Sequence, residues 1–284
     1  MKNRFLFTLL LMSTSLLAQK EFKMPVWPDD APLSNGLSGA EQGWDNFRVT
    51  NVSVPELYVY LPEKSNGGAV ILCPGGAYAL LAMDHEGMDL APWFNERGYA
   101  LIVLKYRMPN GNHEIPLADA SEAIRIVRRH TDEWDIDPHR VGIMGASAGG
   151  HLASTLATHF DADTRPDFQI LLYPVVTMQD AFTHAGSRYN LLGADQTPEM
   201  IGFYSNERQV TAQTPPAFLI LSDDDEAVPS RNSIDYYLAL RACKVSCEMH
   251  VYPIGGHGWG FLDTFPYKTQ WTTALSQWLE CTNF

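Results

Sequence analysis

Two hydrophobic patterns alternate along the chain. GGAVILCP (67–74), YALIVLKYRM (99–108), RVGIMG (140–145), FQILLYPVV (168–176) and AFLILS (217–222) are nearly continuous apolar runs. Such runs read as strands buried on both faces, whereas RVTNVSVPELYVYLP (48–62) alternates as strands with one exposed face do. Between them, apolar residues recur at helical spacing. DHEGMDLAPWFNERG (84–98) predicts a helix closed by Gly98. LADASEAIRIVRRHTDEW (117–134) predicts another, with Ala120, Ala123, Ile124 and Val127 on one face. HLASTLATHF, SIDYYLALRA and YKTQWTTALSQWLE predict three more helices, and CEMHVYP a last strand. Strands alternating with helices imply a mainly parallel central sheet, covered on both faces, with ligands at the carboxyl ends of the strands. The interval 177–214 is too long for a simple connection and predicts a small cap insertion.

The first residues follow a different pattern. Lys2 and Arg4 precede an apolar stretch from Phe5 to Met12, then small residues lead to Ala18. This predicts a signal peptide over 1–18 and one exported domain over 19–284, periplasmic or secreted. The apolar run is short and interrupted by Ser13, Thr14 and Ser15, which argues against a membrane span. The 284 residues carry a net charge of −13, and cleavage after Ala18 would take it to −15. So acidic a chain is a poor partner for nucleic acid. The four cysteines, Cys73, Cys243, Cys247 and Cys281, form no zinc-site spacing. An exported location still permits a bridge from Cys281 to Cys247 or Cys243.

The chemistry gathers where strands end. VGIMGASAGGHL (141–152) places Ser147 in G-x-S-x-G at a strand-to-helix turn, a conformation that projects the serine oxygen above the sheet. PGGAY (74–78) ends another strand, and its small residues leave backbone N–H groups open, as an oxyanion hole requires. DDDEAVPS (223–230) follows AFLILS and offers a carboxylate among Asp223, Asp224 and Asp225. IGGHGWGF (254–261) follows the last strand and sets His257 between glycines. Serine, then acid, then histidine is the order of the α/β-hydrolase fold. His151, on the helix after the serine, reads as structural.

CPGGAY, HEG, YRMP, MGASAGGHLAS, YPVV, DEAVPSRNS and GGHGWGF together resemble α/β-hydrolase esterases related to acetylxylan esterases and other carbohydrate esterases, some of them labelled xylanases. The resemblance runs from about residue 27 to the end. It implies a catalytic Ser147, His257 and Asp225, the acid lying three positions before Val-Pro. It further implies oxyanion donors at Gly76, Ala77 and Ala148, although Pro74 and Ala77 stand where many relatives have the outer positions of H-G-G-G. No metal or cofactor is implied. The expected substrate is an acylated carbohydrate, with Tyr78, Tyr189 and Trp259 as candidate substrate contacts. In the cap sequence, Phe182, Tyr189, Phe203 and Tyr204 mix with polar groups and no run is apolar enough for a fatty chain. A prolyl-oligopeptidase-type peptidase, a lipase or general carboxylesterase, and a catalytically silent binding protein are the alternatives on the same scaffold.

Overall fold

A computed structural model describes residues 21–284, so the signal-peptide expectation lies outside the described residues. The first half contains β1 (Glu21–Pro25), β2 (Arg48–Thr50), β3 (Glu56–Tyr60), β4 (Gly67–Cys73), β5 (Leu80–Ala82), α1 (Ala91–Asn95), β6 (Ala100–Lys105), α2 (Glu114–Arg129) and α3 (Thr131–Trp134). The second half contains β7 (Ile136–Ala146), α4 (Ser147–Thr158), β8 (Gln169–Leu172), α5 (Ala185–Leu192), α6 (Pro198–Phe203), β9 (Ala217–Ser222), α7 (Arg231–Ala242), β10 (Cys247–Tyr252) and α8 (Lys268–Thr282).

One sheet of eight strands runs in the order β1-β3-β6-β4-β7-β8-β9-β10. The pairs β1–β3 and β3–β6 are antiparallel, and from β6 to β10 every pair is parallel. The continuous apolar runs occupy the parallel middle, where β6, β8 and β9 are buried throughout. Each fully buried Val, Ile or Leu there contributes roughly 1.5–3 kcal/mol. On α2, Ala120, Ala123, Ile124 and Val127 are all fully buried. This is the α/β-hydrolase architecture.

Two local expectations differ from the fold, and one edge strand was not anticipated. The stretch 84–98 is not one helix; turns lead to a 3₁₀ segment at Met88–Leu90 and then the short α1. Its first residues are held away from a helix by the rest of the chain: Met83 N–H donates to the Phe47 carbonyl, the His85 carbonyl accepts from Phe261 N–H, and the Glu86 carboxylate accepts from Gly75 N–H. The predicted second helix breaks at His130 into α2 and α3. β1, which the apolar runs did not predict, is a five-residue edge strand whose EFKMP alternates polar and apolar positions and stays half-exposed. The cap stretch carries α5 and α6 between β8 and β9, and the Asn190 Nδ2 on α5 donates to the Ala77 carbonyl at 2.8 Å.

A buried ion pair ties the chain's lead-in to this frame. Asp119 on α2 is fully buried and accepts from Arg107 Nη2 at 2.7 Å, while Arg107 donates onward to the Pro32 and Leu33 carbonyls. Trp27 Nε1 donates to the same carboxylate at 2.8 Å. Removing one partner leaves a buried guanidinium without its counter-charge, which costs about 3–5 kcal/mol. Asp119→Ala is therefore expected to lower unfolding free energy by about that amount in urea titration. A loss below about 1 kcal/mol would show that the pair is not what anchors the lead-in.

Candidate active site

β4 and β7 are parallel neighbours, with Cys73 opposite Gly145, so the turns leaving them emerge side by side. Ser147 sits at the tip of the β7–α4 turn with φ of 53°, a left-handed conformation for a residue with a side chain. A Cβ at Gly145 would lie 2.1 Å from the Gly149 carbonyl oxygen, and one at Gly149 would lie 2.0 Å from the Cys73 oxygen. The G-x-S-x-G spacing is thus a steric requirement at both outer positions.

The β9 and β10 loops bring in the acid and the base. His257 Nε2 lies 2.8 Å from Ser147 Oγ, and His257 Nδ1 lies 2.6 Å from Asp225 Oδ2. With a carboxylate on Nδ1, the proton resides there and Nε2 accepts from the serine hydroxyl. Asp225 is buried, and its Oδ1 accepts from the Ala227 and Val228 N–H groups at 2.9 Å each. Both oxygens are therefore fixed. Asp223 is exposed. Asp224 takes a different part, accepting from Gly256 N at 2.7 Å and Gly255 N at 3.2 Å in the loop that carries His257.

The turn after β4 has positive φ at Gly76 (135°), Ala77 (56°) and Tyr78 (59°). Gly75 presses against Ser147, since a Cβ there would be 3.0 Å from the Ser147 Cβ. Its own N–H is committed to Glu86 Oε2 at 3.0 Å. Gly76 and Ala77 are the next amides in this turn. Ala148 lies in the first turn of α4, where N–H groups lack intrahelical acceptors. Among the described residues, no group of three or more His, Cys, Asp or Glu side chains is placed to hold a metal ion.

The chain matches the BD-FAE family over residues 57–240. It belongs to that family. A relative in sequence, an acetylxylan esterase of Xylanibacter ruminicola, is 41% identical over 79% of this chain. The endo-1,4-beta-xylanase B of Butyrivibrio fibrisolvens is 37% identical over 75% of it. The matches span 48% and 36% of those two proteins, so the chain corresponds to half or less of each. Among solved structures, an acetyl ester-xyloside bifunctional hydrolase from Caldicellulosiruptor lactoaceticus superposes with a TM-score of 0.82 at 34% identity. That superposition covers 95% of this chain and 99% of the other.

This BD-FAE site also contains groups that motif spacing did not reveal. Glu86 is buried, and besides holding Gly75 it accepts from the Tyr173 hydroxyl at 2.7 Å through Oε1. Tyr173 in turn accepts from Gly260 N at 2.7 Å, and its ring lies edge-on to His257 with centroids 4.8 Å apart. One carboxylate thereby links the turn after β4 to the histidine loop. The HEG triplet was the only sequence signal for it.

Two expected substrate contacts are packed inside instead. Trp259 is buried, stacks on Phe265 at 3.9 Å and donates its indole N–H to Ser222 Oγ. Tyr78 is also buried, and its hydroxyl meets His151 Nδ1 at 2.9 Å. Neither ring face is open to a sugar. Tyr189 on α5 is 61% exposed. All four cysteines are free, Cys247 and Cys281 lining the same hollow without a bridge.

His151 is fully buried beneath the serine turn, with Nε2 donating to the Tyr204 carbonyl at 2.8 Å. Burial lowers its pKa to about 4, outweighing that hydrogen bond. His184, half-buried at the start of α5, is also lowered, first by burial and then by His257.

Asp225→Asn is expected to reduce kcat by about a thousandfold or more, because the amide favours the wrong histidine tautomer. Asp224→Asn should cost far less and Asp223→Asn almost nothing. Equal losses at all three positions would show that none has a distinct role. For His151 the direction follows from its lowered pKa. Above about pH 6.5 it is neutral folded or unfolded and contributes no pH dependence; between about 6.5 and 4 only the unfolded chain takes the proton. Stability should therefore fall by up to about 3 kcal/mol over that window from this group alone. Denaturant titrations of the wild type and His151→Gln should show the shallower slope in the variant. Parallel slopes would exclude the buried neutral imidazole.

Proposed function

We propose that the protein is a serine esterase that removes short acyl groups, principally acetyl, from xylan-type polysaccharides or oligosaccharides. The observation that carries this reading is the unbroken hydrogen-bond chain from Asp225 through His257 to Ser147 at the strand ends. Ser147 Oγ attacks the ester carbonyl while His257 Nε2 takes its proton, and Asp225 stabilises the imidazolium. Amides of Gly76, Ala77 and Ala148 receive the developing oxyanion. The alcohol leaves with the proton from His257, and water activated by the same imidazole releases the acid.

The relatives named for acetylxylan and acetyl ester-xyloside hydrolysis support the acetyl and xylan assignments. Export through residues 1–18 belongs to the same reading, since a polymeric substrate of this kind lies outside the cell. No helix among the described residues is long and apolar enough to cross a membrane.

A series of aryl esters and acetylated xylo-oligosaccharides tests the reading. Acetyl esters should be cleaved with kcat/KM at least about tenfold above octanoyl esters, and Ser147→Ala should lower turnover by several orders of magnitude. Better turnover of long-chain esters would replace it with a lipase. Wild-type turnover of aryl acetates with none of acetylated xylo-oligosaccharides would remove the carbohydrate assignment.

A further inference from the structure

A hollow beside the turn after β4 does not contain the triad. It has a volume of about 680 Å³ and begins at Tyr78 and Ala79, immediately after the proposed oxyanion donors. Its opposite walls come from the lead-in before β2 and from the cap helix α5. We propose that this hollow holds the main chain of a neutral oligosaccharide while an attached acyl group reaches Ser147. The inference rests on the esterase reading above and adds where, and by what chemistry, the carbohydrate is gripped.

Charge defines the ligand class. Among the described residues lining the hollow none is charged, although the protein carries a net charge of −13. A site built for an anionic sugar, a phosphate or a charged peptide would require counter-charges there. Amide side chains supply the polarity instead. Asn51 Nδ2 donates to the Ser38 and Ala40 carbonyls, Asn110 Nδ2 to the Asn35 carbonyl, and Asn190 Nδ2 to the Ala77 carbonyl. Each nitrogen is thus engaged with backbone, so each amide is fixed in orientation and its oxygen is the half left for a ligand's hydroxyl. Three oriented acceptors suit a molecule rich in O–H donors.

Tyr189 supplies the complementary surface. It is 61% exposed on α5 at the edge of this hollow. An exposed aromatic face beside fixed hydrogen-bonding groups matches a pyranose, with apolar faces and a polar rim. Asn190 follows it directly and binds the oxyanion turn, so the same helix presents the platform and registers it against the catalytic end. The volume lies within the range of about 300–1,000 Å³ common for ligand sites.

Titration calorimetry of the wild type with unsubstituted xylohexaose, which has no ester to hydrolyse, tests the proposal directly. Saturable binding is expected, weakened roughly five- to tenfold by Tyr189→Ala and restored to within about twofold by Tyr189→Phe, which keeps the ring face. An oligogalacturonate of equal length should bind at least about tenfold more weakly. No saturable xylohexaose binding, no effect of Tyr189→Ala, or equal binding of the acidic oligomer would each overturn the proposal. Parallel turnover of acetylated xylo-oligosaccharides separates the two readings. Turnover without xylohexaose binding removes this site alone, and binding without turnover of either acetylated xylo-oligosaccharides or aryl acetates removes the esterase reading.

Discussion

The close approach of the first turn of α4 to the end of β4 is the contact on which the rest of the site depends. Gly149 lies so near the Cys73 carbonyl that a methyl group would sit 2.0 Å from its oxygen. That contact lets the serine turn sit directly beside the turn leaving β4, so the Ser147 hydroxyl and the proposed oxyanion amides share one small volume. The cost is a serine held at positive φ, of order 1–3 kcal/mol. Packing below offsets it: α4 is buried along nearly its whole length, and His151 and Asn206 fasten its inner face to the stretch just after α6.

The second requirement is a histidine that reaches the serine from a loop of glycines. Gly256 and Gly258 flank His257 with positive φ and have open space around them, so nothing in the loop's own backbone fixes its position. Two carboxylates do so from outside. Asp224 receives two loop amides, and Glu86 holds Gly260 through Tyr173 while also binding Gly75. Phe261 N adds a bond to the His85 carbonyl at 2.7 Å. Only the third carboxylate, Asp225, touches the imidazole. A run of adjacent acids is thus divided between holding a loop and orienting a ring.

How much of this was legible in the sequence depended on the range of the interaction. The parallel strands were visible because burial on both faces demands continuous apolar runs. The serine turn and the glycine-flanked histidine were visible because tight turns restrict residue type locally. Glu86 and Tyr173 meet across 87 residues, and spacing carries no record of such a contact. Tyr78 and Trp259 misled for a related reason: proximity in sequence to active-site loops suggested exposure, but large rings first fill space under those loops. The 84–98 segment was obscured because contacts from elsewhere, rather than periodicity, set its shape, and β1 because five half-exposed alternating residues are too short a run to stand out.

The central claim is that Ser147 is a nucleophile activated through His257 and Asp225, and covalent trapping tests it most directly. Incubation with a fluorophosphonate followed by peptide mass mapping should place a single adduct on Ser147. The labelling rate should fall by orders of magnitude in His257→Ala and Asp225→Asn while the variants remain folded. An unlabelled wild-type protein, an adduct on another residue, or equal labelling rates in wild type and variants would contradict the account.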